Sequence, residues 1–169
     1  LNQGENLVTV TALDADTNVV QSKIYNIIYR TAQNSTNGAI SSTTTWNNSA
    51  GVIYVTGDVT VNPGIKLTIA ANTVVMFDNG RRLSVNGTLD MQGTSANPIY
   101  MFPSDCSTSS AWTIESAASG VVTGNYVVTS SGRYTTSGGG VLSLVDSTMT
   151  DPAGTNIIIA ATGGGQVTL

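Results

Sequence analysis

From Gly51 onward the apolar residues of this chain come in doublets, two large side chains separated by one polar position. They are Val59 and Val61, Leu67 and Ile69, Val75 and Phe77, Leu83 and Val85, Leu89 and Met91, and Ile99 and Met101. Such alternation puts one side of an extended segment in a core and the other in water. The doublets also repeat as a set. Leu83/Val85 lies 24 positions after Val59/Val61, Leu89/Met91 lies 22 after Leu67/Ile69, and Ile99/Met101 lies 24 after Val75/Phe77. Three strands recurring together at that interval make one coil of a three-sided solenoid. Turn signals such as "NPG", "DNG" and "NGT" fall between them. On the same count Trp112 and Ile114, 23 positions after Leu89 and Met91, continue one face.

The last third alternates strands with glycine-rich corners. "GGGVLSL" at 138–144 and "GGGQVTL" at 163–169 lie 25 positions apart, one coil with a slightly longer turn. The interval predicts that Val167 and Leu169 stack on Leu142 and Leu144, with the glycines at corners that need positive φ or close backbone approach. Helical periodicity is nearly absent, so the chain reads as all-β.

The first block differs. Leu7, Thr9 and Thr11 alternate with Val8, Val10 and Ala12, "DADTN" turns the chain, and "VVQSKIYNIIYR" runs back. This is a long-armed hairpin over 1–31. "ENLVTVTALDADTN" resembles the closing two strands of Ig-like domains found in tandem on prokaryotic surface proteins, although its turn has no glycine. Two strands do not bury a sandwich core alone, so the hairpin needs a surface to lean on. Residues 32–50 read as a polar connector whose Trp46 caps the next module, and 51–169 as the solenoid.

"GDVTVNPGIKLTI", "VVMFDNG", "LSVNGTLDMQGT" and "ANPIYMF", all within 52–102, resemble the opening coils of right-handed parallel β-helix (pectin-lyase-like) domains of prokaryotic extracellular proteins. The resemblance implies a right-handed parallel β-helix with coils of about 22–25 residues and an extracellular, cell-surface setting. It implies no activity, because adhesins, lyases and surface scaffolds share these coils.

Composition narrows the chemistry. Hydrophobic residues make up 40% of the 169 positions and charged residues 9%, so Ser, Thr, Asn and Gly must supply the polar surface. The net charge of −4 and the single basic pair Arg81–Arg82 argue against nucleic acid as a partner. No apolar run is long enough for a membrane-spanning helix. No histidine is present, which removes the commonest general base and metal ligand. The lone Cys106 pairs with no other cysteine of the chain, leaving a free thiol or an intermolecular disulfide.

The acids Asp58, Asp78, Asp90, Asp105, Glu115, Asp146 and Asp151 are scattered, mostly beside turn residues, whereas glycosidic chemistry needs two carboxyls facing one substrate. "DNGRR" sets Asp78 beside Arg81 and Arg82 as a solvated turn pairing its own charges. Asp14, Asp16 and Asn18 have the spacing of the first ligands of a calcium loop, but the later glycine and glutamate are missing, so an Asx-rich turn is the preferred reading and calcium the only candidate ion. Three sequons, at Asn34, Asn47 and Asn86, are glycosylation candidates. Tyr25, Tyr29, Tyr54, Tyr100, Tyr126 and Tyr134 are candidate sugar-stacking platforms, with packing the preferred role.

No catalytic residue is assigned. The expected function is structural: a self-assembling subunit of a filament, sheath or surface layer, or the stalk of an adhesin. Copies of the chain would join head to tail through the last coil at Gln166, Val167 and Leu169, since both ends read as open. A glycan-binding module of a larger surface protein is the alternative, and a polysaccharide lyase or hydrolase fragment the third reading.

Overall fold

The computed structural model describes residues 4–29, 33–105, 112–150 and 159–169. Strands β1 (Gly4–Leu13) and β2 (Val19–Tyr29) form the expected antiparallel hairpin as a separate two-stranded sheet. After it the chain winds as a parallel β-solenoid of about five turns. The first rung is β3 (Gln33–Ile40) and β4 (Thr44–Trp46), and the second is β5 (Val52–Val61) and β6 (Lys66–Ala70). The third is β7 (Val74–Phe77), β8 (Arg82–Val85) and β9 (Thr88–Gln92). The fourth is β10 (Ile99–Pro103), β11 (Trp112–Ser116) and β12 (Val121–Asn125). The fifth is β13 (Val127–Ser130), β14 (Gly132–Thr136) and β15 (Val141–Val145). The last is β16 (Thr148–Thr150), β17 (Ile159–Ala161) and β18 (Gln166–Thr168).

Three faces result. Face I stacks the first half of β5 with β7, β10, β13 and β16. Face II stacks the second half of β5 with β8, β11, β14 and β17. Face III is the six-stranded stack of β4, β6, β9, β12, β15 and β18. The long strands β3 and β5 each bend from face I onto face II. All pairings within the solenoid are parallel, so a residue sits about 4.8 Å from its counterpart on the next rung.

That geometry sorts side chains into columns. On face III, Leu67, Leu89, Val122, Leu142 and Val167 form one inward column. Val167 therefore stacks on Leu142, as the spacing of the two glycine triplets predicts. On face II the inward column is Val59, Leu83, Ile114, Tyr134 and Ile159. These residues belong to one continuous apolar core, closed at the first rung by the buried Trp46. Each fully buried side chain of this kind is worth roughly 1.5–3 kcal/mol.

Four expectations need correction. Residues 32–50 are not a connector, because β3 and β4 pair with β5 and β6 as a rung of their own. Trp112 and Ile114 do not extend the column of Leu89 and Met91; Ile114 stacks on Leu83 of face II, and Leu89 receives Val122. The segment after β10 lengthens that coil, so that Ile114 lies 31 positions beyond Leu83. The interval of 23 was a coincidence, since all three faces share the same alternation. Val75 and Phe77 face Met101 and Pro103 rather than Ile99 and Met101, a slip of two that preserves which side points inward. Finally, coils are less uniform than the expected spacing. They run from 19 positions, where Ile53 stacks on Asn34, to 33, where Val122 stacks on Leu89.

A second apolar layer was not foreseen. Val52, Val74, Met76 and Phe102 are buried on the outer side of face I, with Tyr54 and Tyr100 packed against them. The run "VVMF" is buried at every position and so shows no alternation.

Corners use two devices. Ser116 Oγ donates to the Gly120 carbonyl and Thr136 Oγ1 to the Gly140 carbonyl, each at 2.6 Å, one rung apart. The same corner holds Ala118, Gly138 and Gly163 at φ of 53°, 59° and 56°. Glycine meets the left-handed requirement without strain there, and Ala118 bears it at a cost of about 1 kcal/mol. Gly132 serves a different need. Trp112 stacks on Phe77, with centroids 4.5 Å apart, and meets Tyr134 edge-on at 5.8 Å. Its ring lies over Gly132, where an added Cβ would fall 2.4 Å from Cζ2.

Gly132→Ala is expected to lower unfolding free energy by about 3 kcal/mol through overpacking. Gly64→Ala, at φ +73° in open space, should cost only about 1 kcal/mol. Urea denaturation measures both, and Trp112→Phe should absorb more than half of the Gly132→Ala penalty. Equal penalties at the two glycines, or no rescue, would contradict the packing.

Candidate functional site

Outward residues form columns as strictly as inward ones. On face II, Arg82, Thr113 and Arg133 occupy one column, and Ser84, Glu115, Thr135 and Ala160 the next. All of these but Ser84 line an open groove of about 250 Å³, with Ser137 and Thr162 along its corner side. Arg82 Nη1 contacts Glu115 Oε2 at 2.8 Å, and the backbone N–H of Arg82 donates to Asp58 Oδ1 at 3.1 Å. Arg133, two rungs beyond Arg82, has a buried Nε with no hydrogen-bond partner among the described residues. Arg81 Nε shares that condition, but Arg81 stands at the corner before β8 and does not line the groove. The groove thus holds one balanced guanidinium and one unbalanced one.

The expected pairing of Asp78 with Arg81 and Arg82 is not formed. Asp78 Oδ1 instead accepts from Tyr54 Oη and from Ser104 Oγ at 2.9 Å, while Arg82 turns to Glu115. The stacking separates them, because β7 and β8 lie on different faces and the side chains diverge at the corner. On face III, Lys66 Nζ approaches Asp90 Oδ2 at 2.6 Å, and Gln92 Nε2 donates to the same oxygen at 2.8 Å. Partial burial pushes the Asp90 pKa up, but the bonds from Lys66 and Gln92 outweigh it and leave the carboxyl below its ordinary 3.8. Asp78, Asp90 and Glu115 are therefore engaged on three different faces.

The hairpin turn uses its acids locally. Asp14 Oδ1 accepts the backbone N–H groups of Asp16 and Asn18 at 2.9 Å each, and the Asn18 side-chain amide reaches both carboxylate oxygens. The Asn18 backbone N–H is the main cause of a lowered Asp14 pKa. These donors occupy the oxygens that a calcium ion would need, and Asp16 and Asn18 are bound to Asp14 rather than converging beside it.

The sequons fall in different settings. Asn34 is exposed on β3 opposite Ile53. Asn47 is exposed and caps a one-turn 3₁₀ helix, Asn48–Ala50, by accepting from Ser49 N. Asn86 is half-buried at a corner. Cys106 lies outside the described residues. Gln166 and Val167 belong to β18, and Leu169 is 72% exposed beside Leu144 and Met149. Of the tyrosines, Tyr134 is wholly buried, which raises its pKa, and Tyr54 and Tyr100 pack on the outer layer of face I. Tyr126 bonds Asp146 on the neighbouring rung, and that bond is the main reason its pKa is raised. Tyr25 and Tyr29 remain partly exposed on the hairpin.

Sequence reasoning missed Arg133 and its relation to Arg82 and Glu115. The available signal was the step of 20 positions from Thr113 to Arg133, which the irregular coil before it obscured.

A carboxyl with a depressed folded pKa adds stability that is present above its unfolded value and is lost as pH falls through the folded one. Melting temperature should therefore fall on acidification from about pH 5 to pH 2, and Asp90→Asn should flatten part of that fall. An unchanged acid slope in Asp90→Asn would show that the Lys66–Asp90–Gln92 cluster contributes nothing. Comparison with family models, curated proteins and solved structures finds no match to this chain.

Proposed function

We propose that this chain is a structural, extracellular protein whose copies associate into a filament, sheath or surface layer, or build the stalk of an adhesin. The observation that carries this reading is the hairpin. Leu7, Val10, Leu13, Val19, Val20 and Ile24 are each 55–70% exposed. Cross-strand pairing puts Val10 with Lys23 on one side of the ribbon and Ile24 with Thr9 on the other, so both sides expose apolar groups. An isolated two-stranded ribbon with two wet apolar sides is marginal in water and gains by being covered. A second copy supplies such a cover through strand pairing or face packing.

The solenoid fits the same role. Its ladder of parallel pairings and continuous core make a stiff rod, and the sparse charge offers little repulsion between neighbouring copies. The resemblance of 52–102 to β-helix domains of prokaryotic surface proteins supports the extracellular setting.

Sedimentation velocity and electron microscopy across a concentration series test the proposal. The purified chain should form regular assemblies, and Val10→Lys combined with Ile24→Lys should abolish them without shifting the melting of the solenoid. A chain monomeric at every concentration, or assemblies indifferent to the two lysines, would overturn it.

A further inference from the structure

We infer that the groove on face II binds a tetrahedral oxyanion ester carried on a sugar, a sulfated or phosphorylated glycan, and that Arg133 is the group that holds the ester. The argument starts from an imbalance. Glu115 lies 2.8 Å from Arg82 and offsets its charge, whereas neither ion pair among the described residues involves Arg133. Arg133 Nε is buried and without a hydrogen-bond partner among those residues. Buried donors are nearly always satisfied, and an unpartnered Nε on an arginine that lines a groove points to an absent acceptor. With Arg82 and Glu115 in balance, the groove carries one net positive charge in a chain of net charge −4.

The surroundings select the ligand. Thr113 is the register partner of Arg133 on the preceding rung, and Thr135 follows two positions along the same strand. Hydroxyl donors thus flank the guanidinium from two directions. A planar carboxylate places both its oxygens on the guanidinium fork, whereas a tetrahedral ester has a third outer oxygen that projects out of the plane of the fork toward additional donors. A sulfate ester's single charge also matches the single unbalanced arginine. The remaining lining is hydroxyl-bearing or small, with Ser137, Thr162 and Ala160 and no aromatic, which suits a sugar chain better than an apolar peptide side chain. The site is independent of whether copies of the chain associate.

Calorimetric titration of the full chain with four oligosaccharides of equal length, sulfated, phosphorylated, uronate-bearing and neutral, tests the inference. The sulfated or phosphorylated probe should bind at least about tenfold tighter than the other two, weakening as salt rises. Whichever ester binds tighter identifies the source of the oxyanion. Arg133→Gln should weaken binding about tenfold or more, and Arg133→Lys should restore only part of it. Gln92→Ala on face III should change nothing. Should Arg133→Gln not fold, amide shifts of the unaltered chain on adding the sulfated probe must move at Thr113, Arg133 and Thr135. Absence of binding by both esters, equal binding of the uronate or neutral probe, full binding by Arg133→Gln, or shifts confined to other faces would each overturn the site.

Discussion

Parallel, in-register stacking governs this molecule. Because each strand lies about 4.8 Å from its neighbour with the same direction, every side chain is held against one partner above and one below. Inward columns must then be apolar and compatible in size from rung to rung. Trp112 shows the constraint at its tightest. The indole has room only because its register partner on the next rung, Gly132, has no side chain. Gly124 serves similarly between Met91 and Leu144, whose side chains converge on the place a Cβ would take. At these two places a glycine on one rung makes room for the large side chains of its neighbours, and elsewhere, as where Leu89 stacks on Leu67 and Leu83 on Val59, the inward columns stack aliphatic residues of similar size.

The same constraint makes outward chemistry columnar. A strand order that sends β7, β8 and β9 to three faces draws apart residues adjacent in sequence, such as Asp78 and Arg82. It brings together residues 33 positions apart, such as Arg82 and Glu115. Polar function on such a scaffold arises from rung-to-rung neighbours, and a groove along the stack is its natural form. The hairpin stands outside this logic. Its antiparallel pairing leaves both apolar sides uncovered by the solenoid among the described residues.

The fold was legible where the alternation is clean. The doublets from Val59 to Met91 marked strands, their inward sides and the recurrence of three strands per coil, and Val167 stacks on Leu142 as their spacing required. Legibility failed where the physics leaves no distinct trace. All three faces share a period of two, so Trp112 and Ile114 could be placed on a strand but not on a face. The polar first rung, β3 and β4, has one large aromatic residue, Trp46, and resembles a linker in composition. "VVMF" is buried on both sides and carries no alternation. The groove was invisible because columns depend on coil length, and the long fourth coil broke the count just before Arg133.

Nuclear Overhauser contacts across face II test the stacked architecture most directly. The account requires the parallel-sheet pattern linking the backbone of Thr113 to Arg82 on one side and to Arg133 on the other, with the Trp112 ring touching Gly132 and Phe77. Close Hα–Hα contacts of antiparallel pairs between these strands, or a Trp112 ring packed instead on Leu89 and Met91, would contradict it.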